Sequence, residues 1–342
     1  MSEQAGRTMR LCFLGCGRAA ESHSRTARAF RPHVECSYAS RSVDKARAFA
    51  DRYGGARAFD GYRRAVESPD IDAVAVVTPP SLHLEWTLAA LDAGKDVLLE
   101  KPPVLRSADF DAIERAAARA GRFVLVAENY HYKPVVTRLR ECLASGTIGD
   151  PLFIQLNAVK RQRTTGWRDE AALAGGGALF EGGVHWVNFA SSLGYTIRAV
   201  KAVRPGAGPG RARGLERSMA LCLEYQEGPV CMLSYSWEVD SPLKGLRISR
   251  VYGRGGSIAF ESNGLFMATS GRRWRIHFPG VADIQGYRGM FRDFLGAWRE
   301  RRQPLMTLAH ARRDLEVIEE AYRDAGVSRP DGAGPEPCPP SR

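Results

Sequence analysis

Arg10-Leu11-Cys12-Phe13-Leu14-Gly15-Cys16-Gly17-Arg18-Ala19-Ala20 is the stretch whose reading decides the fold. Its first five residues read as a short apolar strand, and a helical stretch to about Phe30 follows the glycines at once. The spacing between them is Gly-x-Gly-x-x-Ala. In a strand-turn-helix unit Gly15 permits the tight turn, Gly17 lets the backbone approach a pyrophosphate, and Ala20 is small enough for helix and strand to pack. The helix then turns free N–H groups, those of Arg18 and Ala19 at its start, toward phosphate. Placed between strand and helix, the pattern points to dinucleotide binding.

Working outward, Val34 to Ala39 forms the second strand, whose end is where a carboxylate grips the ribose 2′-hydroxyl in an NAD site. This chain has Ala39-Ser40-Arg41-Ser42 there. With no acid to repel a 2′-phosphate, and with a hydroxyl and a guanidinium to bind one, Ser40 and Arg41 favour NADP over NAD. Ser42 reads as the N-cap of a helix from Val43 to Tyr53. A small helix near Tyr62 to Glu67 precedes the apolar strand Ala73 to Val77, which ends in Thr78-Pro79-Pro80-Ser81-Leu82-His83. His83 therefore stands at another strand's carboxyl end, near the expected cofactor. The helix Leu84 to Ala93 closes at Gly94.

The next strand, Asp96 to Leu99, runs into Glu100-Lys101-Pro102-Pro103. Parallel sheets bind ligands at this edge, and a lysine there can donate a proton or hydrogen bond to an oxygen whose charge changes during reaction. A helix from Ser107 to Ala120 and a strand from Phe123 to Ala127 bring Glu128-Asn129-Tyr130-His131-Tyr132 to the same edge. Five strands alternating with helices make the doubly wound α/β pattern.

The chain has 342 residues, too many for one comfortable core, which implies two domains. A net charge of +11 raises nucleic-acid binding, but the arginines are spread along the chain without the aromatic interleaving that stacks bases, so none is expected. No apolar run approaches the roughly 20 residues that cross a bilayer, and Met1 to Arg10 lacks a signal peptide's apolar core. Seven scattered cysteines, with no Cys-x-x-Cys pair and no histidine cluster at zinc spacing, fit reduced thiols, a cytoplasmic location and no metal site.

In the second half, Leu152 to Lys160, Met219 to Tyr225, Val230 to Trp237, Ile248 to Tyr252, Ser257 to Glu261 and Trp274 to Phe278 read as strands. Met219 to Tyr225 and Val230 to Trp237 form a hairpin around Glu227-Gly228-Pro229. Strands without long intervening helices make one antiparallel sheet. Pro205 to Gly214 reads as a mobile loop, and the Gly- and Pro-rich tail after Ala325 as disordered. Within Gly175-Gly176-Gly177-Ala178-Leu179-Phe180-Glu181-Gly182-Gly183-Val184-His185-Trp186, a helix from Ala178 puts Glu181 and His185 on one face. From these residues alone, a structural His185 and a catalytic one are equally open.

The chain resembles the oxidoreductase family typified by glucose-fructose oxidoreductase, inositol dehydrogenase and the MocA proteins. It carries, in order, the Gly15 to Ala20 turn, Thr78-Pro79-Pro80 with His83, Glu100-Lys101-Pro102, Asn129 through Pro134, and Ser145-Gly146-Thr147-Ile148-Gly149. Trp167-Arg168, the glycines from Gly175 and closing helices from Phe291 to Tyr322 follow, so the likeness covers roughly residues 10 to 326.

The resemblance implies a flexible start (1–9), a Rossmann domain (10–130), and an α+β domain with an open-faced, mainly antiparallel sheet (131–325). The closing helices 287–325 would pack back on the first domain, and 326–342 would form the tail. It implies NAD(P)-dependent oxidation or reduction of a sugar-like or polyol alcohol/ketone pair, in a homodimer or homotetramer joined through the open sheet. The cofactor would be held by Gly15, Gly17, Arg18, Ala19, Ala20, Ser40, Arg41, Thr78, Pro79, His83, Glu100, Lys101 and Asn129. His185 would carry the proton beside Lys101 and Glu181, with Trp167 and Arg168 at the substrate. Two residues depart from the family pattern, since Glu181 and Asn188 stand where it has Asp. A redox-neutral NAD-dependent glycosidase and a non-catalytic NAD(P)-binding regulator share the resemblance.

Overall fold

The computed structural model describes residues 6–206, 215–240, 246–271 and 273–328, without the side chains of Trp167, Asp169, Ala171 and Ala172. Most of the expected disordered tail, most of the loop Pro205 to Gly214 and the first half of the expected flexible start lie outside the described residues. The chain divides into two compact units, Met1–Glu128 with Tyr287–Arg312, and Asn129–Gly286 with Arg313–Arg342.

The first unit alternates strand and helix in the order β1 (Met9–Leu14), α1 (Arg18–Ala27), β2 (Val34–Ser40), α2 (Val43–Tyr53), β3 (Ala58–Asp60), α3 (Tyr62–Glu67), β4 (Ala73–Val76), α4 (His83–Asp92), β5 (Asp96–Leu99), α5 (Phe110–Ala120) and β6 (Val124–Val126). The strands pair in parallel in the order β3-β2-β1-β4-β5-β6. Their residues are almost wholly buried, as befits strands with helices on both faces. The strand order reverses between β1 and β4, which places the ligand-binding crevice of such a sheet at the carboxyl ends of those two strands. The sequence reading missed β3, an edge strand of three residues with no β-branched side chain.

The second unit contains α6 (Pro134–Ala144), β7 (Pro151–Val159), α7 (Ala171–Ala174), a π-helical turn at Leu179–Gly183, and α8 (Val184–Ser191). After them come β8 (Ile197–Val203), β9 (Ser218–Tyr225), β10 (Val230–Ser236), β11 (Ile248–Gly253), β12 (Gly256–Glu261), β13 (Met267–Ser270) and β14 (Arg275–His277). The sheet runs β14-β13-β12-β11-β7-β10-β9-β8. It is antiparallel except that β10 pairs with β7 in parallel at its centre, which is the mainly antiparallel sheet the resemblance implies. The β9–β10 hairpin forms as read, while β8 and the four-residue β13 were not foreseen.

One face of this sheet is buried through Ile154, Leu156, Leu221, Leu223, Cys231 and Leu233. Helix α8 lies against it, with Phe189 stacked on Phe260 at 5.7 Å and the Tyr225 hydroxyl donating to the Ala190 carbonyl at 3.0 Å. The other face exposes Phe153, Met232 and Tyr252.

The closing helices are α9 (Tyr287–Glu300) and α10 (Leu308–Asp324). Helix α9 groups with the first unit, where Phe291 meets Phe30 at 5.9 Å and Phe294 meets Phe123 at 5.7 Å. Just beyond it, Arg301 donates to the buried Asp96 at 3.0 Å. From Arg313 onward α10 groups with the second unit.

Candidate active site

The turn between β1 and α1 lies at the point where strand order reverses. Gly15 has φ +118°, a region that only glycine enters freely, and an added Cβ would stand 2.8 Å from the Val77 carbonyl oxygen. Any side chain here would separate the ends of β1 and β4. Gly17 is the opposite case, because nothing lies within 4 Å of the position of its missing Cβ. It is the N-cap of α1 and no side chain caps that helix. The first-turn amides of Arg18, which is exposed, and of Ala19 are thus not claimed by a capping side chain, while Ala20 is buried as helix packing requires.

Thr78 follows β4 beside Gly15, and its buried hydroxyl has no hydrogen-bond partner among the described residues. A buried orphan hydroxyl next to open space over a glycine turn fits a bound dinucleotide. Pro79, half-buried, follows it.

At the end of β2, the Ser40 hydroxyl accepts from the Ser42 amide at 3.4 Å, and Arg41 is exposed. Ser42 occupies the N-cap of α2 but makes no side-chain capping bond. Asp60, at the end of β3, is the ladder partner of Ser40, one strand further from β1. Burial pushes the Cys16 thiol up to about 11, and the Lys45 ammonium pulls the other way, so a second cation lies close to the glycine turn.

His83 is fully buried, with Nδ1 2.8 Å from the Pro102 carbonyl and Nε2 2.8 Å from the Thr78 carbonyl. Burial lowers its pKa, against the pull of these carbonyls and of Glu100. A ring with both nitrogens turned to backbone offers no polar edge to a cofactor. The expected cofactor contact therefore gives way to a brace joining the Thr78 turn to the turn that carries Lys101.

Glu100 is likewise committed, because its Oε2 lies 2.6 Å from Nε2 of the buried His23 on α1. Burial opposes ionisation of Glu100, but the His23 hydrogen bond and the charges of His23, Lys101 and His83 outweigh it and hold the carboxyl below its ordinary value. The helix with the glycine turn is thus tied to the residue before Lys101, which is half-buried beyond β5. Sequence reading passed over His23, whose only local signal is a polar residue on the buried face of α1.

In the second unit the imidazole of His185 stacks on Tyr130, with centroids 4.5 Å apart and planes at 14°. The ammonium of the buried Lys133 lies 4.2 Å from the centre of the same tyrosine ring. Asn129 is buried and donates from Nδ2 to the Gln285 carbonyl at 2.6 Å.

Glu181 sits in the π-helical turn rather than the expected α-helix. Its Oε1 accepts from Arg168 Nε at 2.9 Å, with both side chains largely shielded. Arg168, expected at the substrate, thus pairs with Glu181 itself. The side chain of Trp167 lies outside the description.

The turn is capped by a residue the sequence did not single out. Glu216, buried, accepts at Oε1 from the Leu179 amide at 2.7 Å and the Tyr322 hydroxyl at 2.8 Å. Burial raises its pKa, against those two donors, its own backbone amide and the charge of Arg204. Gly177 is required here, because an added Cβ would collide with the Glu216 side chain. Glu181, Glu216, Arg168, Arg217, Thr164 and Trp237 surround a pocket of about 200 Å³.

Asn188, the other departure, is fully buried and donates to Asp314 Oδ2 at 2.7 Å. An amide is the complement that Asp314 requires, and a carboxylate would meet another.

Residues 9–128 match the model of an oxidoreductase family with an NAD-binding Rossmann fold, and residues 136–259 match the GFO/IDH/MocA C-terminal domain. The chain belongs to the Gfo/Idh/MocA oxidoreductase family. It is 37% identical over 190 residues to a dTDP-3,4-didehydro-2,6-dideoxy-alpha-D-glucose 3-reductase of Streptomyces violaceoruber, covering 55% of each chain. It is 32% identical over 202 residues to a 1,5-anhydro-D-fructose reductase of Ensifer adhaerens, covering 57% of this chain and 59% of that one. The alignments therefore span a little over half the length of these two relatives.

Among solved structures, an oxidoreductase of Thermotoga maritima superposes with a TM-score of 0.83 at 25% identity, over 94% of this chain and 97% of that one. Among the described residues no helix is long and apolar enough to cross a membrane, and no group of three or more His, Cys, Asp and Glu could hold a metal ion.

Proposed function

We propose that this chain is an NADP(H)-preferring oxidoreductase that interconverts a secondary alcohol and a ketone on a sugar-like or polyol substrate. The observation that carries this is the glycine turn where strand order reverses, with its uncapped helix and the orphan Thr78 hydroxyl. Membership of an NAD-binding family and two sugar-reducing relatives support the substrate class.

A bound nicotinamide supplies or accepts hydride at its C4. The side chains must then handle the proton and the oxygen charge. In this reading the Lys101 ammonium stabilises the developing alkoxide, and His185, held flat against Tyr130, takes or gives the hydroxyl proton. Ser40 and Arg41, with Lys45 nearby, would receive the 2′-phosphate of NADP. The apolar open face of the second sheet, with Phe153, Met232 and Tyr252, is assigned to a homodimer or homotetramer. The six described cysteines are free, in keeping with a cytoplasmic enzyme.

The test is a screen of neutral sugars, polyols and keto-sugars by nicotinamide absorbance with each nucleotide. Turnover that saturates at lower NADP(H) than NAD(H) is expected. Absence of any absorbance change rejects the activity, and strong preference for NAD rejects the 2′-phosphate assignment.

A further inference from the structure

We propose that Glu216 is a specificity-determining residue, whose Oε2 accepts a hydrogen bond from one hydroxyl of a neutral, single-ring sugar in the pocket beside Glu181. This rests on the proposed sugar oxidoreductase activity and narrows its substrate.

Three observations carry it. The first is the division of labour between the two carboxyl oxygens. Oε1 is filled by the Leu179 amide and the Tyr322 hydroxyl, so it holds the turn that carries Glu181. Oε2 accepts no hydrogen bond from another described residue, and Glu216 lines the pocket over the bare backbone of Gly177. A buried carboxylate whose Oε1 is fixed by two neighbours and whose Oε2 takes no donor from another described residue is a preorganised acceptor, and an O–H donor to it makes a strong, short bond.

The second is charge. Arg168 is paired with Glu181 at 2.9 Å, and Arg217 donates to the Gln162 carbonyl at 2.7 Å with its guanidinium 5.9 Å from the Trp237 ring. The lining itself carries two cations and two carboxyl groups, with Arg204 acting on Glu216 from outside it, so the lining asks for hydroxyls rather than for a charged group.

The third is size and shape. About 200 Å³ is below the roughly 300–1,000 Å³ of pockets for larger ligands and suits one ring, not a ring with its nucleoside diphosphate inside the same pocket. The Trp237 N–H is already given to the Tyr235 hydroxyl at 2.7 Å, which leaves that side chain as an apolar wall for the carbon face of a sugar.

The test uses the full-length protein, NADPH and NADH, and a panel of D-glucose, myo-inositol, D-glucitol, monodeoxy glucoses, the matching keto-sugars and D-glucuronate. Glu216→Gln keeps an acceptor for Leu179 and Tyr322 and turns an NH₂ toward the pocket. The expected result is a rise of ~10-fold or more in the KM for the neutral sugar, with nucleotide KM and thermal midpoint unchanged. In wild type, deletion of one particular hydroxyl should carry a penalty of similar size that disappears in the variant. If Glu216→Gln does not fold, Glu216→Asp, which keeps the charge but withdraws it by one methylene, is expected to raise the sugar KM and shrink the same penalty.

Unchanged sugar KM with an intact deoxy penalty makes Glu216 only a cap and overturns the inference while leaving the proposed activity standing. Preference of the wild type for D-glucuronate over the neutral sugars overturns the charge argument. Absence of turnover with every sugar and both nucleotides overturns the proposed activity, and this inference with it.

Discussion

Replacing His23 by Leu removes the partner of a carboxylate that the first unit keeps largely out of water. The Glu100 side chain is 14% exposed and His23 is 1% exposed, with 2.6 Å between Nε2 and Oε2. In wild type the Glu100 carboxyl is held below its ordinary value of 4.5. Its stabilising contribution is therefore present above that value and lost as pH falls through the lower folded value. In His23→Leu the burial remains and the largest opposing influence is gone, although Lys101 and His83 still favour the charged form.

The loss expected at pH 7 is about 2–3 kcal/mol, the worth of a hydrogen bond to a charged group plus part of the penalty for stranding a buried charge. Protonation of Glu100 relieves that penalty, so the deficit should shrink toward pH 4. Urea unfolding of both proteins at pH 4, 5.5 and 7 reads it directly. A deficit of the same size at all three pH values would refute the reasoning, because it would report only lost packing against Tyr287 and Phe291.

Arg41→Ala should raise the KM for NADP(H) by ~10-fold and leave that for NAD(H) nearly unchanged, as removal of a charge-assisted phosphate contact requires; initial rates at saturating sugar measure it. Lys101→Ala and His185→Ala should each lower kcat by ~100-fold or more, the usual scale for an acid–base group, with folding checked by circular dichroism. Near-normal rates in both would remove them from the chemistry. Asn188→Asp exchanges a donor for an acceptor 2.7 Å from Asp314 Oδ2 and should destabilise the protein by about 2–4 kcal/mol at pH 7 in urea unfolding.

The parts of the fold that the sequence made legible are those fixed by local chemistry. The β1 turn is spelled out by Gly15 and Gly17, α2 begins and ends at the residues its polar and glycine boundaries mark, and the β9–β10 hairpin follows its Glu-Gly-Pro break. The strands that were missed are either very short, like β3 and β13, or interrupted by basic residues on the solvent side, like β8. Such strands exist because a neighbour offers them a ladder, and that neighbour is not visible in a local window.

The same holds for the candidate site. Glu181 and His185 were identifiable by type and spacing and Arg168 by the family resemblance, but the long-range partners around them were not. His23 meets Glu100 across 77 positions, and Glu216 meets Tyr322 across 106. The π-helical turn that carries Glu181 departs from the expected α-helix where Glu216 caps it and Gly177 yields the room. The place of His83 at a strand end points to a ligand contact, whereas the two backbone carbonyls and the complete burial that make it a brace come from residues outside that local window.

The central claim is that hydride passes between a nicotinamide and a carbon of the sugar-like substrate. NADPH deuterated at the transferred position of C4, mixed with the enzyme and a keto-sugar it reduces, should yield a product carrying one deuterium on the new carbinol carbon, read by mass spectrometry and NMR. Product formed without label, or a cleaved glycoside with the nucleotide's redox state unchanged at the end of the reaction, would contradict it.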